Sequence, residues 1–190
     1  MLHGERARLR PIEREDLPRF VAWFADPGVR AHLALYLPLS RAQEERWYES
    51  TLAQPQEEQP FAIDARLDEA RWQHVGAAGL QNPQWRNRST EIGLVVGDRS
   101  FWGKGLGTEA TVLLVRFAFD TLNLHRVALR VYEDNAPARR VYEKVGFVLE
   151  GRQRDGDFRE GRYRDVLLYS ILRPEWQDHR ECGGRDAGRA

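Results

Sequence analysis

The chain has 190 residues, 42% of them hydrophobic, which is enough for one well-buried core and short for two. Its 29 basic residues balance 29 acidic ones, so no overall positive field exists to collect nucleic acid or acidic lipid, and recognition of a charged partner has to be local. The single cysteine, Cys182, excludes an internal disulfide or a thiolate metal cluster; with no apolar leader and no window near the ~18 apolar residues of a membrane span, a cytoplasmic protein is expected.

Residues 7–12 alternate apolar and charged side chains as a short strand does, and Leu17, Phe20, Val21 and Phe24 then recur at helical spacing until Asp26-Pro27-Gly28 stops the helix. Ser40, with Gln43 three residues on, forms a capping box that opens a second helix carrying Trp47 and Leu52 and fading at Gln54-Pro55. The apolar stretch 33–39 between them reads as core filler ahead of a substrate wall. From Pro60 the pattern turns to strands, over 61–65, 73–80 and 91–96 with polar turns between, which predicts an antiparallel meander. A glycine loop follows, then a helix over about 108–122 with Leu113, Leu114, Phe117 and Ala118 on its buried side, and a strand over 126–131. Asn135 caps a short helix that takes Pro137 in its first turn and stops at Gly146. Two closing strands, 147–150 and 166–172, are joined by 151–165, where Arg152, Arg154, Arg159, Arg162 and Arg164 face Asp155, Asp157, Glu160 and Asp165; a solvated hairpin is expected. One domain over 1–173 and a disordered tail over 174–190 complete the expected organisation.

The loop Trp102-Gly103-Lys104-Gly105-Leu106-Gly107-Thr108 lies between a strand and a helix, where unpaired backbone N–H groups and the positive helix end suit an anion. Gly103, Gly105 and Gly107 clear side chains from the approach to the main chain. A structural turn remains the competing reading of this loop taken alone. A Walker loop fails, because Gly103-Lys104 is followed by Gly105 and not by Ser or Thr. A Rossmann fingerprint ranks low: its third glycine is misplaced and the preceding strands form a meander.

A second motif lies about thirty residues downstream: Asn135-Ala136-Pro137-Ala138-Arg139-Arg140-Val141-Tyr142-Glu143-Lys144-Val145-Gly146-Phe147. The two together resemble the GCN5-related N-acetyltransferase (GNAT) superfamily, and Trp102 at the head of the loop, with Gly161-Arg162-Tyr163-Arg164-Asp165, resembles its ribosomal-protein N-acetyltransferase (RimJ/RimL-like) branch and that branch's polyamine acetyltransferase relatives. The resemblance implies an α/β GNAT fold: a mixed, mostly antiparallel central sheet, helices on both faces, and a splayed strand pair holding acetyl-CoA. It implies that the main chain of Gly103, Lys104, Gly105, Leu106, Gly107 and Thr108 surrounds the pyrophosphate, with Trp102 heading that loop, and that Val95, Val96 and Gly97 serve the pantetheine arm and acetyl carbonyl. No metal is implied.

Asn135 and Tyr142, seven residues apart, share one helix face with Arg139 between them, a face suited to the cofactor arm. By resemblance, Asn135 contacts the pantetheine and Tyr142 protonates the departing thiolate; helix cap and core aromatic are their structural alternatives. The acceptor amine also has to lose a proton. An alkyl amine of pKa ~10.4 must give up roughly 4–5 kcal/mol at pH 7, against about 1 for an α-amine near 7.8. Glu91, on the strand face shared with Gly93 and Val95, is the leading base, with an exposed strand-edge glutamate as its structural alternative and Glu133 and Asp134 as second choices. His3, His32, His74, His125 and His179 show no metal-ligand spacing. Trp47 and Tyr36 are candidates for substrate contact. The expected reaction is direct attack of a primary amine, at a protein N-terminus or on a small molecule, on the acetyl thioester. A catalytically silent acyl-CoA-binding or interaction module on the same fold is the alternative, and the resemblance also admits a homodimer.

Overall fold

The computed structural model describes residues 1–176. The strands are β1 (Leu2–His3), β2 (Ala7–Pro11), β3 (Phe61–Arg66), β4 (Trp72–Gln84), β5 (Ser89–Val96), β6 (Arg126–Tyr132), β7 (Val148–Arg159) and β8 (Arg162–Leu172), in one sheet of order β1-β2-β3-β4-β5-β6-β8-β7. The expected meander is β3-β4-β5, paired antiparallel throughout. Among the described residues only β5 and β6 run parallel, joined by the crossover that such a pair requires.

The helices are α1 (Leu17–Ala25), α2 (Pro27–Arg30), α3 (Arg41–Leu52), α4 (Leu106–Arg116) and α5 (Ala136–Val145). Asp26-Pro27-Gly28 does end α1, but Asp26 also caps the N–H of Gly28 and starts α2, because an Asp-Pro pair closes one helix and opens the next equally well. The capping box at Ser40 is present. The helix expected over 108–122 begins two residues earlier, at Leu106, and ends in a wider π turn over Phe117–Thr121.

Helices cover both faces, as expected. On one face α4 and α5 pack Leu106, Leu113, Leu114 and Val145 against Leu9, Ile63, Ile92, Val127 and Leu129. On the other, α1 and α3 close a smaller core of Ile12, Leu17, Phe20, Tyr48 and Ala62. Trp176, in the stretch expected to be tail, is buried in the larger core at 3% exposure; Cys182 and His179 lie outside the described residues.

Two expectations fail. The 33–39 stretch is not filler: Tyr36 is 65% and Leu37 74% exposed, so these apolar side chains stand at the surface. The charged segment 151–165 is not simply solvated. It continues the β7–β8 ladder through Asp157↔Arg164 and Arg159↔Arg162, and its inward charges grip the loop after α2. Arg159 donates to the carbonyls of Arg30, Leu33 (2.7 Å) and Leu35 (2.9 Å), and Arg164 donates to that of Ala31 (3.0 Å). Nearly cancelling charge in sequence thus hides cations that satisfy main-chain carbonyls, which no count of signs distinguishes from solvated ones.

Candidate active site

The β5–β6 pairing covers only Ser89↔Arg126, Thr90↔Val127 and Glu91↔Ala128. Beyond Glu91 the strands part, so the β6-facing edge of β5 up to Val96 has no strand partner and the sheet opens in a V. The segment from α1 to residue 35 spans the mouth of this V on the α1/α3 face. At one side Trp23 packs flat on Gly97, where an added Cβ would lie 2.4 Å from the ring. At the other, Arg164 and Arg159 hold the loop.

The glycine loop closes the top of β5. Gly103 (φ 73°) and Gly105 (φ 79°) take left-handed conformations, and Gly105 is the N-cap of α4 with no side chain to cap the helix. By contrast α2, α3 and α5 are capped by Asp26, Ser40 and Asn135. The first-turn N–H groups of α4 are therefore left for a ligand. Gly107 adds an independent sign. Its φ is not positive, and a Cβ there would meet Leu94 at 3.9 Å and Val141 at 4.0 Å, ordinary contacts, so the fold itself does not demand glycine. A bare main chain between β5 and α5 at the opening of the V is what a phosphate needs to come close, and the residues present fit a coenzyme A pyrophosphate and arm.

Trp102 stands in the loop by a specific bond: its indole N–H donates to the carbonyl of Val96 at 2.7 Å, and Arg99 lies over its ring at 5.1 Å. It ties the loop to the end of β5, and the Val96 carbonyl is thereby occupied. The N–H of Gly97 is likewise used, on the carbonyl of Val75 at 2.8 Å. The carbonyl of Val95 lies on the β4 side, where a Cβ added at Gly76 would meet it at 2.1 Å. Lys104 folds its ammonium over Phe101, 4.9 Å from the ring centre.

On α5, Asn135 accepts from the N–H of Ala138 at 3.2 Å, so its carbonyl caps the helix and its amide N–H groups stay available. Arg139 donates to the carbonyl of Glu133 at 3.3 Å and pins α5 to the end of β6. Tyr142 is 8% exposed, packs edge-on to Phe147, and its hydroxyl has no hydrogen-bonding partner among the described residues. Burial pushes its pKa up to about 12, so the phenol holds its proton throughout the physiological range. The side chain of Glu91, the last paired residue at the crotch of the V, makes no hydrogen bond or ion pair among the described residues. The second-choice bases are engaged: Glu133 by Arg152, and Asp134 by Arg164 (3.5 Å) and Arg162 (3.7 Å). His32 lies 3.8 Å from Asp134, brought there by the gripped loop; nothing in the sequence pattern placed it near the site. Among the described residues no three His, Cys, Asp or Glu side chains gather as metal ligands, and no helix is long and apolar enough to cross a membrane.

Residues 6–148 match the acetyltransferase (GNAT) domain family. The chain is 30% identical over 178 residues to an uncharacterized N-acetyltransferase, p20, of Bacillus licheniformis, covering 92% of this chain and 97% of that one. It is 39% identical over 102 residues to a putative ribosomal N-acetyltransferase, YdaF, of Bacillus subtilis, covering 54% of this chain and 55% of that one. Its fold superposes with a TM-score of 0.82 on a spermidine N-acetyltransferase of Vibrio cholerae solved with CoA and spermine, at 25% identity over 92% of this chain and 99% of that one.

Proposed function

The chain belongs to the GNAT acetyltransferase family and is an N-acetyltransferase; from that premise we propose that it transfers the acetyl group of acetyl-CoA by direct attack of an acceptor carrying a single ammonium group, the α-amine of a protein N-terminus foremost. The observation that carries the direct-attack reading is the pair of unpartnered polar groups flanking the V: the Tyr142 hydroxyl on α5 and the Glu91 carboxylate at the crotch. Neither side chain has a partner within the described protein to give up, so both are available to a bound substrate.

Glu91, through water, takes a proton from the acceptor nitrogen, which forms the C–N bond as the C–S bond breaks. The first-turn N–H groups of α4 hold the pyrophosphate and the free edge of β5 orients the arm. Tyr142 acts on the leaving sulfur. Full proton transfer from a phenol at about 12 to a thiolate whose acid titrates near ~8.5 is uphill, so its contribution is a hydrogen bond to the developing charge. The proton that ends on sulfur then comes from the acceptor nitrogen.

The acceptor class rests on the charges around the mouth. Beside the end of β6 the carboxylates of Glu133, Asp134, Asp157 and Asp165 are each ion-paired with Arg152, Arg162 or Arg164, so these four are already engaged and are not offered to the further cations of a polyamine. An α-amine also needs far less help to lose its proton. Thiol release from acetyl-CoA, measured with lysine-free peptides bearing a free N-terminus and with spermidine and spermine, tests this. The expected result is a higher kcat/KM for a peptide, and a kcat reduced by about a hundredfold in Glu91→Gln. Preference for a polyamine would overturn the acceptor class, and no thiol release with any amine would overturn the reaction.

A further inference from the structure

Toward the β1 edge of the sheet, β2, α1 and the turn between β3 and β4 enclose a surface recess of about 550 Å³. Arg8 of β2, Arg19 of α1, Arg71 ahead of β4, and Trp72 and Gln73 at the start of β4 line it. Neither Glu91, Tyr142 nor any residue of the glycine loop belongs to it, and acetyl transfer makes no use of these side chains.

The polar wall is built of guanidinium groups, and the acids around it do not balance them. Arg8 holds Asp64 at 2.8 Å, but Asp64 is shared with Arg10 at 3.0 Å, whose other partner is Asp16 at 2.7 Å. Those two arginines and two aspartates cancel. Asp68 takes Arg71 in an exposed i,i+3 pair, while Arg66 reaches only the main-chain carbonyl of Asp68, at 3.1 Å. Arg19 makes no hydrogen bond or ion pair among the described residues. Glu15 and Glu69, close in sequence to Arg19 and Arg71, line no part of the recess and pair with no cation among the described residues. The charges of Arg19 and Arg66 are therefore left without a carboxylate.

Two of the cations are held in place before any ligand arrives. Arg8 lies 4.6 Å and Arg66 5.9 Å from the centre of the Trp72 ring, and His3 meets that ring edge-on at 6.5 Å. Ordering long side chains in advance lowers the cost of binding. A planar guanidinium presents paired N–H donors that fit the oxygens of an oxyanion. Two unneutralised charges favour a dianion, and a phosphate monoester carries close to two negative charges near neutral pH. Leu67, Ala70 and Trp72 supply an apolar wall for a small organic body.

We infer that this recess is a second anion site, separate from the glycine loop, and that it binds a phosphoryl group, with Arg19 and Arg71 closing on it over Arg8 and Trp72. The two sites are neighbours through β4. The Gln73 amide donates to Asp98 at 3.1 Å, and the other oxygen of Asp98 holds Ser100 in the turn that leads into the glycine loop. A test therefore keeps the loop filled.

Calorimetry on the protein saturated with acetyl-CoA, at fixed ionic strength in sodium chloride, supplies that test with glycerol 1-phosphate, inorganic phosphate and succinate as probes. Saturable binding of the phosphoryl probes, tighter than that of succinate, is expected. Arg19→Gln should weaken it about tenfold, and Arg71→Gln should weaken it too. Both side chains are exposed, so Tm and the acetyl-CoA Kd should match those of the wild type. Tighter binding of glycerol 1-phosphate than of inorganic phosphate identifies an ester as the ligand, and the reverse order identifies free phosphate; either supports the site. Binding that never saturates, unchanged affinity in Arg19→Gln, or tighter binding of succinate overturns the inference. Phosphoryl binding that depends on Arg19 in a protein without affinity for acetyl-CoA would leave this site standing and count against the acetyl-transfer reading instead.

Discussion

Tyr142 and Trp102 are both aromatic residues of the cofactor motifs, yet one hydrogen-bond inventory gives them opposite characters. The Tyr142 hydroxyl has no partner among the described residues, so Tyr142→Phe removes no contact within the described protein: Tm should hold, the Kd for acetyl-CoA should stay within twofold, and kcat should fall about a hundredfold or more. Retained turnover in that variant would remove Tyr142 from the chemistry. Trp102 is satisfied, through its N–H on the Val96 carbonyl. Trp102→Phe keeps a ring for Arg99 and loses that bond, a net change of about 1 kcal/mol, so acetyl-CoA should bind about fivefold more weakly while kcat barely moves. Calorimetry with acetyl-CoA beside steady-state kinetics distinguishes these two patterns.

At the level of elements, α4 presents bare N–H groups because its cap is Gly105 in the left-handed region, which offers no side chain to turn back on the helix. Gly107→Ala isolates the ligand's demand from the fold's. Within a helix the substitution favours folding by up to about 1 kcal/mol, and the new methyl finds only ordinary contacts at 3.9 and 4.0 Å. We expect thermal unfolding to move upward while affinity for acetyl-CoA drops at least tenfold. Lys104→Ala, whose ammonium rests on Phe101, should leave both nearly unchanged. If Gly107→Ala bound acetyl-CoA normally, the loop would be a turn and nothing more.

Across the whole molecule, α1 is anchored to the sheet by a buried charge network in which Arg10 bridges Asp16 and Asp64 and His74 lies 3.1 Å from Asp16. Burial alone would raise the Asp16 pKa, but hydrogen bonds from Arg10, His74 and the Glu13 N–H outweigh it and leave it well below the usual carboxylate range. A depressed folded-state value means that this stabilisation is fully present above the unfolded pKa of ~3.9 and is lost as pH falls through the folded one. Asp16→Asn should therefore cost about 3 kcal/mol in urea unfolding at pH 7, with a gap to the wild type that narrows below about pH 4. A gap independent of pH would mean that packing, not charge, holds α1 over the V.

The sequence by itself determined the elements and the donor. Caps at Ser40 and Asn135, the stop at Gly146, the β3-β4-β5 meander and the two spaced glycine and Asn–Tyr motifs are local patterns, and local patterns survive in a linear reading because helix caps, positive-φ turns and strand alternation depend on neighbours a few residues away. Only the tertiary structure decided the rest. That β5 and β6 part after Glu91, that the cancelling charges of 151–165 grip the carbonyls of 30–35, and that Asp16, Asp64 and Asp157 each find an arginine are facts about groups that the fold brings together. Whether a charge is solvated, paired or stranded depends on which groups the fold brings within a few ångströms of it, and composition carries no record of that.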